Sequence, residues 1–174
     1  MGKAEVGKQS KKVFDGRLLK VFKTYQKLPN GKKAYLEEVR HPGAAIIVPF
    51  VNNKIVFIRQ YRPVIGKYIW ELPAGTLDAK ETPHACAKRE VTEETGYLAG
   101  KLSKLGYIYT TPGFCTEKIH VYRADCKGKR ETCRDEDEII DVRLLSKAEV
   151  RKKFQNGRIN DAKTISALKF AGVL

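Results

Sequence analysis

The segment Arg89–Gly96, "REVTEETG", sets Glu90, Glu93 and Glu94 within five residues of a chain whose formal net charge is +14. On a helix Glu90 lies three residues from Glu93 and four from Glu94, so the carboxylates sit near one face. Like charges at that spacing destabilise a helix by about 0.2–0.5 kcal/mol per pair. In the last turns the helix dipole disfavours them further. Arg89 stands four residues before Glu93 and can pair with it, but one guanidinium does not neutralise three carboxylates. A hard divalent cation can. Oxygen donors select Mg2+, Mn2+ or Ca2+, and Mg2+ commonly bridges protein carboxylates to substrate phosphates. Taken alone, the cluster reads more readily as a solvated acidic helix face.

The flanks place this segment in a fold. Thr82 can serve as N-cap and Pro83 as the first helical residue, and Gly96 can end the helix in the left-handed conformation. Upstream, "GRLLKVFKTYQKLPNGKKAYLEEVRH" is two alternating segments around Asn30-Gly31, a hairpin signal. "HPGAAIIVPFVNNKIVFIRQYR" gives two strands around Asn52-Asn53, and Ala44–Pro49 is apolar enough to be central in a sheet. "YIWELPAG" is a short strand ending in a loop, and "LSKLGYIYTTPG" and "EKIHVYRADC" are strand-like. The acidic stretch "CRDEDEII" leads into the strand "DVRLLS". Two helices follow, capped by Ser146 and by Asn160 or Asp161.

A longer frame decides between the two readings of the glutamates. Gly75, Glu81, Arg89, Glu90, Val91, Glu93, Glu94 and Gly96 fall in the register G-x5-E-x7-R-E-U-x-E-E-x-G-U, where U is bulky and aliphatic. This resembles the Nudix box; Tyr97 departs at the last U, a packing position. The resemblance implies an α/β fold of the α+β kind, a Nudix α/β/α sandwich with a mixed sheet. It also implies Mg2+-dependent hydrolysis of a nucleoside diphosphate linked to another group, with Mn2+ as the alternative metal. By similarity Glu90 and Glu94 are the principal metal ligands, Glu93 is a further or water-mediated one, and the carbonyl of Ala74 points at a metal. Arg89 would orient Glu93, and Glu81 would brace the loop.

"RQYR" (Arg59–Arg62), "WELPAG" (Trp70–Gly75) and "TPGFCTEK" resemble the ADP-ribose pyrophosphatase branch, in which a proline follows the box by about fifteen residues; here Pro112 falls 15 after Tyr97. The branch implies that Arg62 contacts the diphosphate or the adjoining ribose. It implies that Glu117 sits near the terminal ribose or a partner-subunit arginine. A glutamate of the acidic loop, Glu138 first and Glu136 second, would close over the metals as general base or added ligand. Residues 1–40 would be a β extension that exchanges between subunits of a homodimer, ahead of a hydrolase domain over 41–174. Phe22, Tyr25 and Arg40 are of a type suited to reach a partner's substrate, though aromatic residues at strand spacing are more often packing.

Composition bounds the rest. At 174 residues, with 42% hydrophobic and 31% charged residues, the chain suits one ordinary globular domain. No apolar run is long enough to span a bilayer, and "MGKAEVGKQSKK" lacks a signal-peptide core and reads as a frayed start, so the cytoplasm is the expected compartment. Cys86, Cys115, Cys126 and Cys133 match no zinc spacing and are expected as free thiols. Residues 1–40 hold 11 Lys and Arg against 4 acids. These alternate with apolar residues rather than forming a tail, which disfavours a nucleic-acid partner and suits steering of an anionic nucleotide. The alternatives carried forward are a pyrophosphatase for GDP-mannose or another nucleotide sugar, and a non-catalytic Nudix module that binds a nucleotide or RNA.

Overall fold

The computed structural model describes residues 9–16, 19–132 and 139–174. The chain divides into two units, Met1–Pro42 with Tyr109–Lys118, and Gly43–Ile108 with Ile119–Leu174.

The smaller unit holds an antiparallel sheet of β1 (Gln9–Asp15), β2 (Lys20–Lys27) and β3 (Lys33–Arg40). Gly31, at φ +82°, makes the turn between β2 and β3 that Asn30-Gly31 foretells. Strand β1 departs from the expectation of a frayed start. Its residues are all exposed, so no buried apolar alternation marks it in the sequence. Pairing with β2, from Gln9 opposite Tyr25 to Asp15 opposite Lys20, is what forms it. Lys12 foremost, and then Lys20, holds the Asp15 carboxyl down at about 2. Arg40 lies over the Phe22 ring at 3.7 Å, and Tyr25 packs on Tyr35 at 5.1 Å.

The larger unit is built on β4 (Ala44–Val51), whose run AAIIVPFV is buried up to its last residue. A strand covered on both faces needs no polar alternation, which is why the run reads as continuous. Strand β4 runs parallel to β9 (Lys118–Lys129) and antiparallel to β5 (Lys54–Arg62). The order is β10 (Ile140–Leu145), β5, β4, β9, β8 (Tyr97–Tyr109); β6 (Lys67–Glu71) pairs with β5, and β7 (Ala74–Thr76) with β4. Asn52 and Asn53, at φ +47° and +62°, form the turn between β4 and β5.

Alternate residues of the sheet feed two cores. Ala45, Ile47, Val56, Tyr122 and Ala124 pack with Cys86, Ala87 and Val91 of α1 (Pro83–Thr95). Ile46, Val48, Ile55, Phe57 and Val121 pack with Val150 of α2 (Lys147–Gln155) and with Ala167 and Leu168 of α3 (Ala162–Phe170). Helix α1 therefore lies on one face and α2 and α3 on the other, the expected three layers. The caps fall where the sequence puts them: Thr82 accepts from Ala85 N at 3.2 Å, Ser146 closes a capping box with Glu149, and Asp161 caps α3. Thr82→Ala is expected to cost about 1 kcal/mol in urea unfolding, since it removes one acceptor at the N-terminus of α1.

Candidate active site

Helix α1 and the loop leading into it carry the box. Gly96, at φ +74°, ends the helix, so Glu90, Glu93 and Glu94 occupy its last turns. Gly75 lies against them. A Cβ there would overlap the Glu90 carboxylate, so the glycine is needed for close approach. Glu94 is 3% exposed and accepts the Ala74 N–H at 3.1 Å, joining the loop to the helix.

Arg89 does more than the sequence suggests. Its fork donates to both oxygens of Glu81, from Nε at 3.0 Å and Nη2 at 2.8 Å. Nη1 donates to Glu90 at 2.6 Å and to Glu93 at 3.0 Å, and Nη2 reaches the Thr76 carbonyl at 3.2 Å. One guanidinium has five donors in a plane, enough to serve three carboxylates at once. The Glu81 bonds foremost, followed by that to Glu93, hold the Arg89 pKa above its ordinary value. The same bond to Arg89 draws Glu81 down to about 2. Both stay charged across the working range of pH. Beneath them Cys86 is buried; burial pushes its thiol up to about 12, which makes it a packing group rather than a nucleophile. Cys115 and Cys126 are likewise free, while Cys133 lies outside the described residues.

Arg62 is not free in the solvent. It forks onto Glu71, with Nε to Oε2 at 2.8 Å and Nη2 to Oε1 at 3.0 Å. Glu71 is 1% exposed and also meets Lys163 Nζ at 3.3 Å. Lys163 in turn bonds Asp161 at 2.7 Å. Sequence reading passed over Glu71 and Lys163, which are 92 residues apart. The available signal was the lone acid in the otherwise apolar "YIWEL". Thr164 adds a further tie, its hydroxyl accepting the Leu72 N–H at 2.9 Å.

Glu117 and Pro112 belong to the smaller unit. There the Phe114–Thr116 segment bonds Val39, and Glu117 lies 3.7 Å from His41 Nε2. Glu136 and Glu138 lie outside the described residues.

Among the described residues no three acids, histidines or cysteines converge as a ready metal cage. The donor set nonetheless fits a hard divalent cation. Three carboxylates crowd the end of one helix, Gly75 leaves room beside Glu90, and Glu94 is held from behind by the Ala74 N–H.

The family model for the NUDIX domain matches residues 39–168. The chain belongs to the Nudix family. Nudix hydrolases generally need a divalent metal. Over 165 residues this Nudix chain is 39% identical to the methanol dehydrogenase activator of Bacillus methanolicus, covering 93% of its own length and 89% of the relative's. It is 37% identical over 163 residues to the ADP-ribose pyrophosphatase of Bacillus subtilis (strain 168), covering 91% and 87%. A crystal structure of an ADP compounds hydrolase superposes with a TM-score of 0.82 at 25% identity, over 94% of this chain and 90% of that one. The mixed sheet between helical layers is thus the Nudix fold expected of the box. No helix among the described residues is long and apolar enough to cross a membrane.

Proposed function

We propose that the protein hydrolyses the diphosphate bond of ADP-ribose, with water, to AMP and ribose 5-phosphate. The observation that carries this reading is the glutamate cluster of α1, assembled on Gly75 and Arg89 in a chain that matches an ADP-ribose pyrophosphatase over nine-tenths of its length. A binding module would have no need of three mutually repelling carboxylates.

Glu90 and Glu94 would hold Mg2+, or Mn2+, with Glu93 and the Ala74 carbonyl as further donors. The bound metal would neutralise charge on the diphosphate and lower the pKa of water. Arg89 keeps Glu90 and Glu93 in place, and ionised Glu81 keeps Arg89 in place. Arg62, steadied by Glu71 and with 40% of its side chain exposed, is suited to a phosphate or ribose oxygen. Glu117, five residues after Pro112, is assigned to the terminal ribose. Glu138, or failing it Glu136, is assigned as the base. Residues 1–40 form the dimerising extension and residues 41–174 the hydrolase domain of a cytoplasmic homodimer.

Purified protein with Mg2+ should cleave ADP-ribose in preference to GDP-mannose, ADP-glucose, NADH, Ap4A and 5′-triphosphate RNA, as resolved by product chromatography. Preference for GDP-mannose would move the assignment to the nucleotide-sugar alternative; turnover of none would overturn the enzyme reading. In light scattering the intact chain should have the mass of a dimer and a chain lacking residues 1–40 that of a monomer. An unchanged dimer would remove the exchange model.

A further inference from the structure

Within the larger unit a second concavity, of about 450 Å3, lies between β6, β10 and the connection from α2 to α3. Arg59, Lys67, Arg143 and Arg158 line it, with Asp141 as the one acid of the lining among the described residues. Asp141 is taken by Arg143 at 2.6 Å. Arg59, Lys67 and Arg158 have no ion pair among the described residues. Two aromatic residues, Tyr68 and Trp70, complete the wall. Arg59 lies over the Tyr68 ring at 4.7 Å, and Lys153 lies over Trp70 at 4.2 Å. Trp70 packs into the core shared with α2 and α3 and meets Phe57 edge-on at 6.4 Å, which anchors the indole. That core is on the face of the sheet opposite α1, and none of the glutamates of the box lines the cavity.

Cations gathered around one hollow repel each other, and among the described residues one carboxylate of the lining offsets them. An anion of matching size relieves that repulsion. Arginine forks and a lysine are suited to phosphate oxygens. The volume falls within the range of small-molecule sites. The cations surround a hollow rather than forming a track, which fits a small ligand and not the backbone of a nucleic acid. We propose that this pocket is a second anion site that takes a small phosphorylated ligand, a sugar phosphate or mononucleotide, independently of the metal-dependent reaction.

Trp70 is the only tryptophan of the chain, so its emission reports on this wall. The experiment titrates AMP, ribose 5-phosphate and inorganic phosphate in EDTA, with sodium chloride matched for ionic strength. At least one of the three should change Trp70 emission saturably, while chloride should not. The arms separate the sources: a response to all three means that phosphate alone is recognised, and a response to AMP alone means that the base contributes. Charge reversal at two positions, Lys67→Glu with Arg158→Glu, should weaken binding at least about tenfold, as expected for the loss of charge-assisted hydrogen bonds. Arg158→Ala alone serves if the double variant does not fold. Glu94→Gln should leave the titration unchanged. The proposal is overturned if no ligand saturates, if the charge variants bind normally, or if Glu94→Gln abolishes the signal. It also fails if a 5′-phosphorylated oligonucleotide binds more tightly as its length increases.

Discussion

Glu94→Gln is expected to lower kcat by about two to three orders of magnitude while leaving the fold intact. The glutamine is isosteric, and its amide oxygen can still accept the Ala74 N–H that Glu94 accepts at 3.1 Å. What disappears is a negative charge at a proposed metal-binding position. Metal-derived stabilisation of a transition state is worth several kcal/mol, and each ~1.4 kcal/mol is a decade in rate. Glu94→Ala gives the necessary contrast. It removes the charge and the acceptor together, leaves a loop N–H without its partner, and should cost a further 1–3 kcal/mol, roughly, in unfolding free energy. Steady-state kinetics and urea unfolding of both variants separate the two roles. Near-normal turnover by Glu94→Gln would refute the ligand assignment.

Gly75→Ala should produce nearly as large a loss by a different route. The added methyl would occupy the space of the Glu90 carboxylate. That carboxylate is the far end of a flexible side chain, so it can swing aside at little cost to the fold. It would then be lost from its position beside Arg89 Nη1. A displacement of about 1 Å at a reacting centre can cost a hundredfold in rate. The expected result is a near-native melting temperature, a fall in kcat of about a hundredfold, and a higher Mg2+ concentration for half-maximal activity. Unchanged metal dependence would show that Glu90 does not bind the metal.

What was legible in the sequence was local. The cap at Thr82, the left-handed Gly96, the turn at Asn52-Asn53 and the register of the glutamates each depend on neighbours within one helix or hairpin, where spacing translates directly into position. The service of three carboxylates by Arg89 was harder to see, because Glu81 reaches it from outside the helix. The pairing of Arg62 with Glu71 was half legible. Both lie on one hairpin, but the burial of Glu71 and its contact with Lys163 depend on packing between distant segments. Strand β1 was illegible for another reason: it buries nothing, and backbone pairing leaves no mark on the choice of side chains.

The Thr164 hydroxyl bears on how the protein can be handled. It holds Leu72 from α3, while two residues further on Ala74 is held by Glu94 from α1. The loop that presents the box is therefore clamped between the middle of the chain and its final helix. Trimming the carboxy-terminal residues, or fusing a bulky tag that unseats α3, would loosen that loop without touching any residue of the box. A preparation altered in that way could fold, bind metal weakly and be mistaken for an inactive relative.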